Sequence, residues 1–483
     1  MPANVTQPVA RGRRRSKPAR RHRLIPVVAG AILLIAVLIV TLRSSGPPPL
    51  PLPGIGRPAR SDDPFSYIPS RESDFVARAT AGCAHVLFTK SPGGVVETAA
   101  RVARWRGLIN AAVAGTGIDP NLVEGLVLVE SAGRPDAIAG SDPAAASGLT
   151  QILAETGQSM LGMHVDLARS RGLTAAIARA SSPGEAARLA RARARVDDRF
   201  DARKALAATV RYLEIARRRF GRIDLAIVSY HMGIGNLAQV LDDYDGGSAA
   251  PYAQLYFDTA PDRHAAAYRL LSSFGDDSSL YYWRVLGAVQ IMRLYRTGRP
   301  ALARLDSLQT ATDSAAEVLR PPDRTPTFAD PTALYAAYAR RAVLPLPANA
   351  PALGVAYDPR MGALAHRVGA TPALYRGLRV PALDLLIELA ARVRALSHTA
   401  PLSVLSTVTD RRYEDALGAS DPAASAGYAF TLTRRYASTA QADALQAMLD
   451  RLQALNVIAW QRYPSTIEVT VASDASNVIL NGP

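Results

Sequence analysis

The sequence contains a single cysteine, Cys83, in a chain of 483 residues. One thiol cannot form an intrachain disulfide, and a metal site built from several thiolates is excluded. We interpret Cys83 as a small buried side chain, because free cysteine is among the most buried residue types. A catalytic thiol is the alternative. Histidine is also scarce, with only His366 and His398 beyond residue 300.

A basic stripe interleaved with aromatic side chains is missing, and this argues against nucleic-acid binding. The net charge is +15, but eight basic residues precede residue 24. Without them the rest of the chain carries about +7, a modest excess that suits an anionic surface. Apolar residues make up 48% and charged residues 20%, which is typical of globular protein rather than disorder.

Residues 1–23, a segment rich in arginine, are predicted to be a cytoplasmic tail. An apolar run follows at 24–42, and it is broken only by Pro26, Gly30 and Thr41. As a helix, this run would cover about 28 Å, enough to cross the hydrocarbon core of a bilayer. The charge before it predicts a cytoplasmic N-terminus and a single-pass anchor, with the rest of the chain on the extracytoplasmic side of the cell membrane. A cleaved signal peptide is the alternative.

The length predicts two folded domains. Residues 43–76 include a proline-rich stretch and form a predicted linker, and 77–319 show an alanine-rich helical pattern. Residues 320–331 are a second predicted linker. Residues 332–483 mix helical segments with short β-branched runs, which favours a smaller α+β domain. The sequence has no internal repeat.

The segment 117–134, GIDPNLVEGLVLVESAGR, carries the strongest chemical signal. Asp119 can cap a helix, and Pro120 suits its first position. Glu130 continues the apolar face of that helix, where desolvation raises the pKa of a carboxyl and makes it a candidate general acid. Glu124 lies about 240° away around the helix, so we expect it to be solvated. A buried salt bridge is the alternative role for Glu130.

Two later segments extend the pattern, namely ASGLTQIL at 146–153 and LAIVSYHMGIG at 225–235. The ordered set E-S, G-L-x-Q and Y-x-x-G, followed by DDSSLYY at 276–282, resembles the soluble lytic transglycosylases, a mainly α, lysozyme-like family. The resemblance covers about residues 100 to 295. The residues that match the motifs are Glu130, Ser131, Gly148, Leu149, Gln151, Tyr230 and Gly233.

The resemblance implies cleavage of peptidoglycan glycan strands without a cofactor. Glu130 would be the catalytic acid and base, and Tyr230 would hydrogen-bond to it. Gln151 would bind the saccharide, while Ser131 would support the glutamate. Two features depart from the family pattern. His231 stands where asparagine is usual and is predicted to be a substrate-contacting or structural residue, and the segment between Gln151 and Asp201 is longer.

The arginine-rich insertion 155–199 is interpreted as a solvated helical addition, or alternatively as a flank that steadies an anionic polymer. A hydrolytic lysozyme is the nearest rival function and would need a second carboxylate, such as Asp136 or Asp142. A non-catalytic wall-binding protein is the other alternative.

Residues 402–471 resemble, more faintly, the D-alanyl-D-alanine-type zinc peptidases. Ser406, Gly427 and Ala429 match that pattern, whereas Thr409 takes the arginine position. The positions that would hold zinc carry Ala424, Thr431 and Glu468, and alanine and threonine cannot replace histidine and aspartate as ligands. The resemblance therefore implies a metal-free domain that binds the peptide stem or braces the enzyme. An unrelated α+β module is the alternative.

Overall fold

Helices make up most of the chain in the computed structural model, which describes residues 63–311 and 314–480. The predicted tail 1–23, the apolar run 24–42 and most of the linker 43–76 lie outside the described residues. Among those residues, no helix is both long and apolar enough to cross a bilayer. The prediction of a mainly helical chain with a small sheet region is confirmed.

Seventeen of the described helices precede residue 320. They are α1 Glu72–Gly82, α2 His85–Thr89, α3 Val95–Ala103, α4 Arg106–Val113, α5 Pro120–Ser131, α6 Ala154–Ser159, α7 Leu167–Ala178, α8 Pro183–Val196, α9 Ala202–Phe220, α10 Ile223–Met232, α11 Ile234–Asp245, α12 Tyr252–Asp258, α13 Ala265–Ser273, α14 Gly275–Ser279, α15 Tyr281–Thr297, α16 Arg299–Thr310 and α17 Ala315–Leu319.

Helix α5 begins and ends where local chemistry dictates. The Asp119 side chain accepts a hydrogen bond from the Asn121 backbone, and Pro120 occupies the first turn, as predicted. Ala132 adopts a left-handed conformation that closes the helix, and Gly133 follows with a φ of 76°. A Cβ atom at Gly133 would lie 2.8 Å from the Val102 backbone nitrogen, so only glycine fits this exit.

The prediction that Glu124 is solvated is wrong. Glu124 is only 1% exposed, and its carboxylate pairs with Arg106 and Arg296. The helical geometry was right, but α5 is covered on more than one side because α15 packs closely against it. A Cβ atom at Gly125 would lie 2.8 Å from the Val285 carbonyl oxygen of α15.

The region after residue 330 is built around a five-stranded sheet of order β2-β4-β5-β7-β6. Strand β2 pairs with β4 in parallel, and the other neighbours are antiparallel. The elements are α18 Pro331–Ala339, β1 Leu344–Pro345, β2 Val355–Tyr357, β3 Gly377–Leu378, α19 Val380–Ser397, β4 Leu402–Ser406, α20 Arg411–Leu417, α21 Pro422–Ser425, β5 Ala429–Thr433, α22 Thr439–Ala454, β6 Ile458–Arg462, β7 Thr466–Val471 and α23 Ala475–Leu480.

The helical region and the sheet region pack directly against each other. One cluster of buried apolar side chains continues from the helices into the sheet. Arg451 of α22 donates to Asp63 at 3.0 Å and to the Thr259 carbonyl. A Cβ atom at Gly82 would lie 2.5 Å from the Gln453 carbonyl oxygen, so α1 and α22 are in close contact.

Both predicted linkers contain packed residues. Phe65 is fully buried, so the folded chain begins before the predicted boundary at residue 77. In the second linker, the Arg320 guanidinium lies 3.3 Å from the centre of the Tyr428 ring. Phe328 is buried, and its backbone N–H donates to the Ser425 carbonyl. The described parts of these segments, residues 63–76 and 320–331, are held by the fold, whereas the prediction was of extended spacers.

Candidate active site

An open cavity of about 550 Å³ lies where α5, α10 and α15 come together. Five of the seven predicted site residues border it, namely Glu130, Ser131, Gln151, Tyr230 and His231. The other polar residues that border it are Lys90, Ser91, Arg134, Asp277, Tyr281 and Arg284. Gly148 and Leu149 lie behind the wall, where Leu149 is fully buried.

Glu130 is the carboxyl of this cavity with a strongly shifted pKa. Burial raises its pKa from 4.5 to about 7, and a hydrogen bond from the Tyr281 hydroxyl opposes part of that rise. Near neutral pH, the protonated and the ionised forms of Glu130 are therefore both populated. A group in this state can both donate and accept a proton, which is what general acid–base catalysis requires.

Tyr281, the first residue of α15, supplies this hydrogen bond. Its ring is 1% exposed, and its pKa lies well above 10 because of burial and the neighbouring Glu130 carboxyl. The phenol thus keeps its proton and can only donate it to Glu130 as a hydrogen bond. The stretch DDSSLYY, which runs into a closing helix, is the sequence signal for Tyr281, although it predicts no role for this residue.

The prediction that Tyr230 hydrogen-bonds to Glu130 is wrong. The Tyr230 hydroxyl lies 2.8 Å from the Thr150 carbonyl, to which it donates, and 3.2 Å from the Thr209 hydroxyl. Tyr230 borders the cavity. The pKa of Tyr230 is raised mainly by burial and, to a smaller extent, by the nearby Glu130 carboxyl. Its observed contact holds the loop that follows Leu149.

Ser131 joins the first motif to the second. Its side chain is 2% exposed, and its hydroxyl donates to the Leu149 carbonyl at 2.6 Å. This hydrogen bond holds the loop after Leu149 against the end of α5, beside Glu130. Gly148 has a φ of 83°, and a Cβ atom there would lie 1.8 Å from the Arg199 carbonyl oxygen.

Gln151 stands on the same loop in a left-handed conformation, with a φ of 51°. Its Nε2 donates to the Ala137 carbonyl at 3.1 Å and to the Gly148 carbonyl at 2.8 Å. Because these two bonds occupy the nitrogen, Oε1 is the atom that Gln151 can offer to a ligand in the cavity. The amide both shapes the loop and borders the site.

Arg199 anchors this loop, and sequence reasoning missed it. Its side chain is fully buried beside Asp197, and it donates to the carbonyls of Pro143, Ala145 and Ile152. Ser170 of α7 donates to the same aspartate. The insertion 155–199 forms a helical hairpin of α7 and α8, and this buried ion pair ties the hairpin to the loop that carries Gln151.

The carboxylates suggested for a hydrolytic mechanism do not line the cavity. Asp142 is 53% exposed in its side chain and pairs with Arg171 at 2.9 Å, and Asp136 is also exposed. Instead Asp277, which lies in the DDSSLYY stretch but was given no role there, borders the same cavity as Glu130. The Arg284 guanidinium beside it lowers the pKa of Asp277, so this carboxyl stays ionised.

The sheet region has a cavity of its own, about 890 Å³ in volume. It is bordered by the positions compared with a zinc site, including Ser406, Thr409, Ala424, Thr431 and Glu468. The Ser406 hydroxyl donates to Thr431 at 2.8 Å, and Thr431 lies opposite Glu468 across the β5–β7 pair. Within residues 63–311 and 314–480, no group of histidine, cysteine and acidic side chains is arranged to hold a metal ion.

No family model matches this chain, and no curated protein is similar enough to match it. The resemblance to the lytic transglycosylases therefore depends on the ordered motifs and on their meeting at one cavity.

Proposed function

We propose that this protein is a peptidoglycan lytic transglycosylase that cleaves the bond between N-acetylmuramic acid and N-acetylglucosamine. The observation that supports the proposal best is Glu130, a half-buried carboxyl at a cavity, with a pKa raised to about 7 and a buried tyrosine as its hydrogen-bond partner. The lysozyme-like assignment of the helical region belongs to the same proposal.

In the proposed reaction, protonated Glu130 first donates its proton to the glycosidic oxygen, and the bond to the anomeric carbon breaks. The 2-acetamido group of N-acetylmuramic acid stabilises the positive charge left on that carbon. Glu130, now a carboxylate, takes the proton of the sugar's 6-hydroxyl, whose oxygen attacks the same carbon. The product is a 1,6-anhydro end, and Glu130 regains its proton without the addition of water.

One carboxyl can carry out both proton transfers when its pKa lies near the working pH, because its acid form is then populated and its carboxylate is still a useful base. The Tyr281 hydrogen bond favours the carboxylate and thereby opposes the rise caused by burial. In the same proposal Gln151 Oε1 contacts the saccharide and Ser131 fixes the loop behind it. No cofactor takes part.

We also propose that the apolar run 24–42 anchors the chain in the cell membrane with the enzyme on the extracytoplasmic side. Glycan strands of the cell wall would then lie within reach of the cavity, and they are the proposed binding partner. We do not propose nucleic acid as a partner.

The test is to digest purified peptidoglycan sacculi with the wild type, Glu130→Gln and a matched control, Glu155→Gln. Glu155 is exposed and does not border the cavity, so its variant should behave as the wild type. Glu130→Gln should bind sacculi but release no anhydromuropeptides, as measured by mass spectrometry. Undiminished release by that variant would eliminate the proposal.

A hydrolytic muramidase is the second candidate because Asp277 borders the same cavity in ionised form. Hydrolysis adds one water and leaves a reducing end, so the same mass spectra separate the two reactions. Under the transglycosylase proposal, Asp277→Asn leaves the anhydro product as the sole product. A reducing-end product that disappears in Asp277→Asn would favour hydrolysis, and binding without any product would favour a wall-binding protein.

A further inference from the structure

His231 occupies the position at which the family pattern usually has asparagine, and although the residue is exposed, its ring contacts two buried residues. Its ring stacks on that of Tyr281, with the ring centres 5.1 Å apart and an angle of 27° between the planes. Its Nδ1 lies 3.0 Å from the Ser278 hydroxyl. Ser278 is 9% exposed and precedes Tyr281 by three residues, at the end of α14.

We propose that His231 is a positioning residue that, together with Ser278, fixes the Tyr281 phenol on the Glu130 carboxyl. This inference rests on the proposed function, since it concerns the proton-transferring group of the same site. It assigns His231 no contact with the reacting atoms.

The geometry explains why a ring is needed at this position. The Tyr281 backbone is fixed by the start of α15, but its phenol can still turn about the side-chain bonds. A flat ring stacked on one face of the phenol limits that rotation, and the Ser278 contact holds the imidazole itself in place. Asparagine could reach Ser278, but it offers no aromatic face.

The imidazole is suited to this role only while it is uncharged. Burial lowers its pKa, and the charged groups that face it are Asp277, which raises the pKa, and Arg284, which lowers it. A neutral ring next to Tyr281 places no additional positive charge near Glu130. The hydrogen bond from Tyr281 is then the main interaction that opposes the effect of burial on Glu130.

Loosening Tyr281 has a consequence that can be measured. Its hydrogen bond stabilises the Glu130 carboxylate, so losing the bond raises the pKa of Glu130 further. Because Glu130 must be protonated at the start of the reaction, activity falls as pH rises through its pKa. In a variant with a loosened Tyr281, Glu130 should therefore remain protonated to a higher pH than in the wild type. The reduced activity of that variant should persist to the same higher pH.

The experiment compares His231→Ala, His231→Phe, Ser278→Ala and Tyr281→Phe in the full chain with sacculi as substrate. His231→Ala and Tyr281→Phe should lower kcat about tenfold to a hundredfold with little change in KM, as expected for a misplaced catalytic group. In both variants the basic limb of the profile of kcat against pH should shift to higher pH. His231→Phe keeps the stacked ring and should restore the wild-type limb, and Ser278→Ala should fall between these.

A second readout does not depend on turnover. The protonation of Glu130 can be followed in the free protein by NMR of labelled glutamate carboxyls, with Glu130→Gln used to assign the signal. His231→Ala should raise that pKa and His231→Phe should not. If the wild type proves inactive on sacculi but these shifts appear, the proposed function fails and the positioning role stands. An unchanged Glu130 pKa in folded His231→Ala overturns the inference.

Discussion

The helical-region cavity and the sheet-region cavity each contain a carboxyl whose pKa is raised, but the causes differ. In the helical region, burial is the only cause that raises the pKa of Glu130, and a hydrogen bond from the neutral Tyr281 hydroxyl lowers it. In the sheet region, burial of Glu468 is reinforced by the neighbouring carboxyls Asp421 and Glu414, and a hydrogen bond from Tyr463 lowers the pKa. A raised pKa therefore identifies a buried carboxyl but does not by itself identify a catalytic one.

The partners of each carboxyl indicate what it can do. A carboxyl whose pKa is set by burial and a neutral donor, without a neighbouring carboxyl, can exchange its proton with a ligand and regain it. A carboxyl that faces other carboxyls gains and loses its proton together with them, because ionisation of one disfavours ionisation of the next. On this comparison we expect catalysis at Glu130 and not at Glu468.

The largest expected effect is the contrast between Glu130→Gln and Glu468→Gln. Loss of a general acid usually costs about 10²- to 10⁴-fold in rate, so Glu130→Gln should lose at least that much. Glu468→Gln should digest sacculi at a rate within about twofold of the wild type, because a residue outside the reacting site takes no part in the proton transfer. Initial rates of anhydromuropeptide release measure both, and equal losses would break the comparison.

The next effect concerns how the helical cavity is held together. Arg199→Met should leave Asp197 buried without its partner, and breaking such a pair costs about 3–5 kcal/mol. Denaturant unfolding should show this loss. Arg188→Gln, an exposed arginine on the same hairpin, should stay within about 0.5 kcal/mol of the wild type. A small loss for Arg199→Met would mean that the ion pair does not brace the loop.

Much of the helical cavity could be predicted from short-range pattern. The cap at Asp119, the position of Glu130 on α5 and the meeting of three motifs follow from spacing and from their resemblance to a family. Glu124 could not be placed, because helical periodicity gives the angle around one helix and not which neighbours cover it. The same limit applies to Tyr230, whose distance from Glu130 depends on how α10 packs.

Other features depend on contacts between distant parts of the chain. Arg199 reaches carbonyls more than 45 residues away, and no local pattern marks an arginine that will be fully buried. Tyr281 lies 151 residues from Glu130 in sequence. The predicted linkers pack because Phe65 and Phe328 find apolar surroundings that only the assembled fold provides.

A smaller effect separates the two cavities by the sign of a pKa change. Tyr281→Phe removes a hydrogen bond that favours the Glu130 carboxylate, so the pKa of Glu130 should rise. Asp421→Asn removes a neighbouring charge that disfavours the Glu468 carboxylate, so the pKa of Glu468 should fall. Carboxyl NMR titration measures both, and shifts in the same direction would show that the two environments do not differ as described.

The smallest expected effect is in the pH dependence of stability. The pKa of Glu468 is raised in the folded protein above its ordinary value of 4.5, so the folded state binds the proton more tightly than the unfolded chain does. Its contribution to stability is complete below pH 4.5 and is lost as pH rises through the folded pKa. Glu468→Gln cannot lose a proton, so its stability relative to the wild type should increase as the pH rises from 4.5 to about 7. Unfolding in urea at several pH values measures this difference, and Glu155→Gln, at an exposed position, is the control. A difference that is constant with pH would mean that the carboxyls of the sheet cavity are solvated, and the contrast with Glu130 would then be one of burial alone.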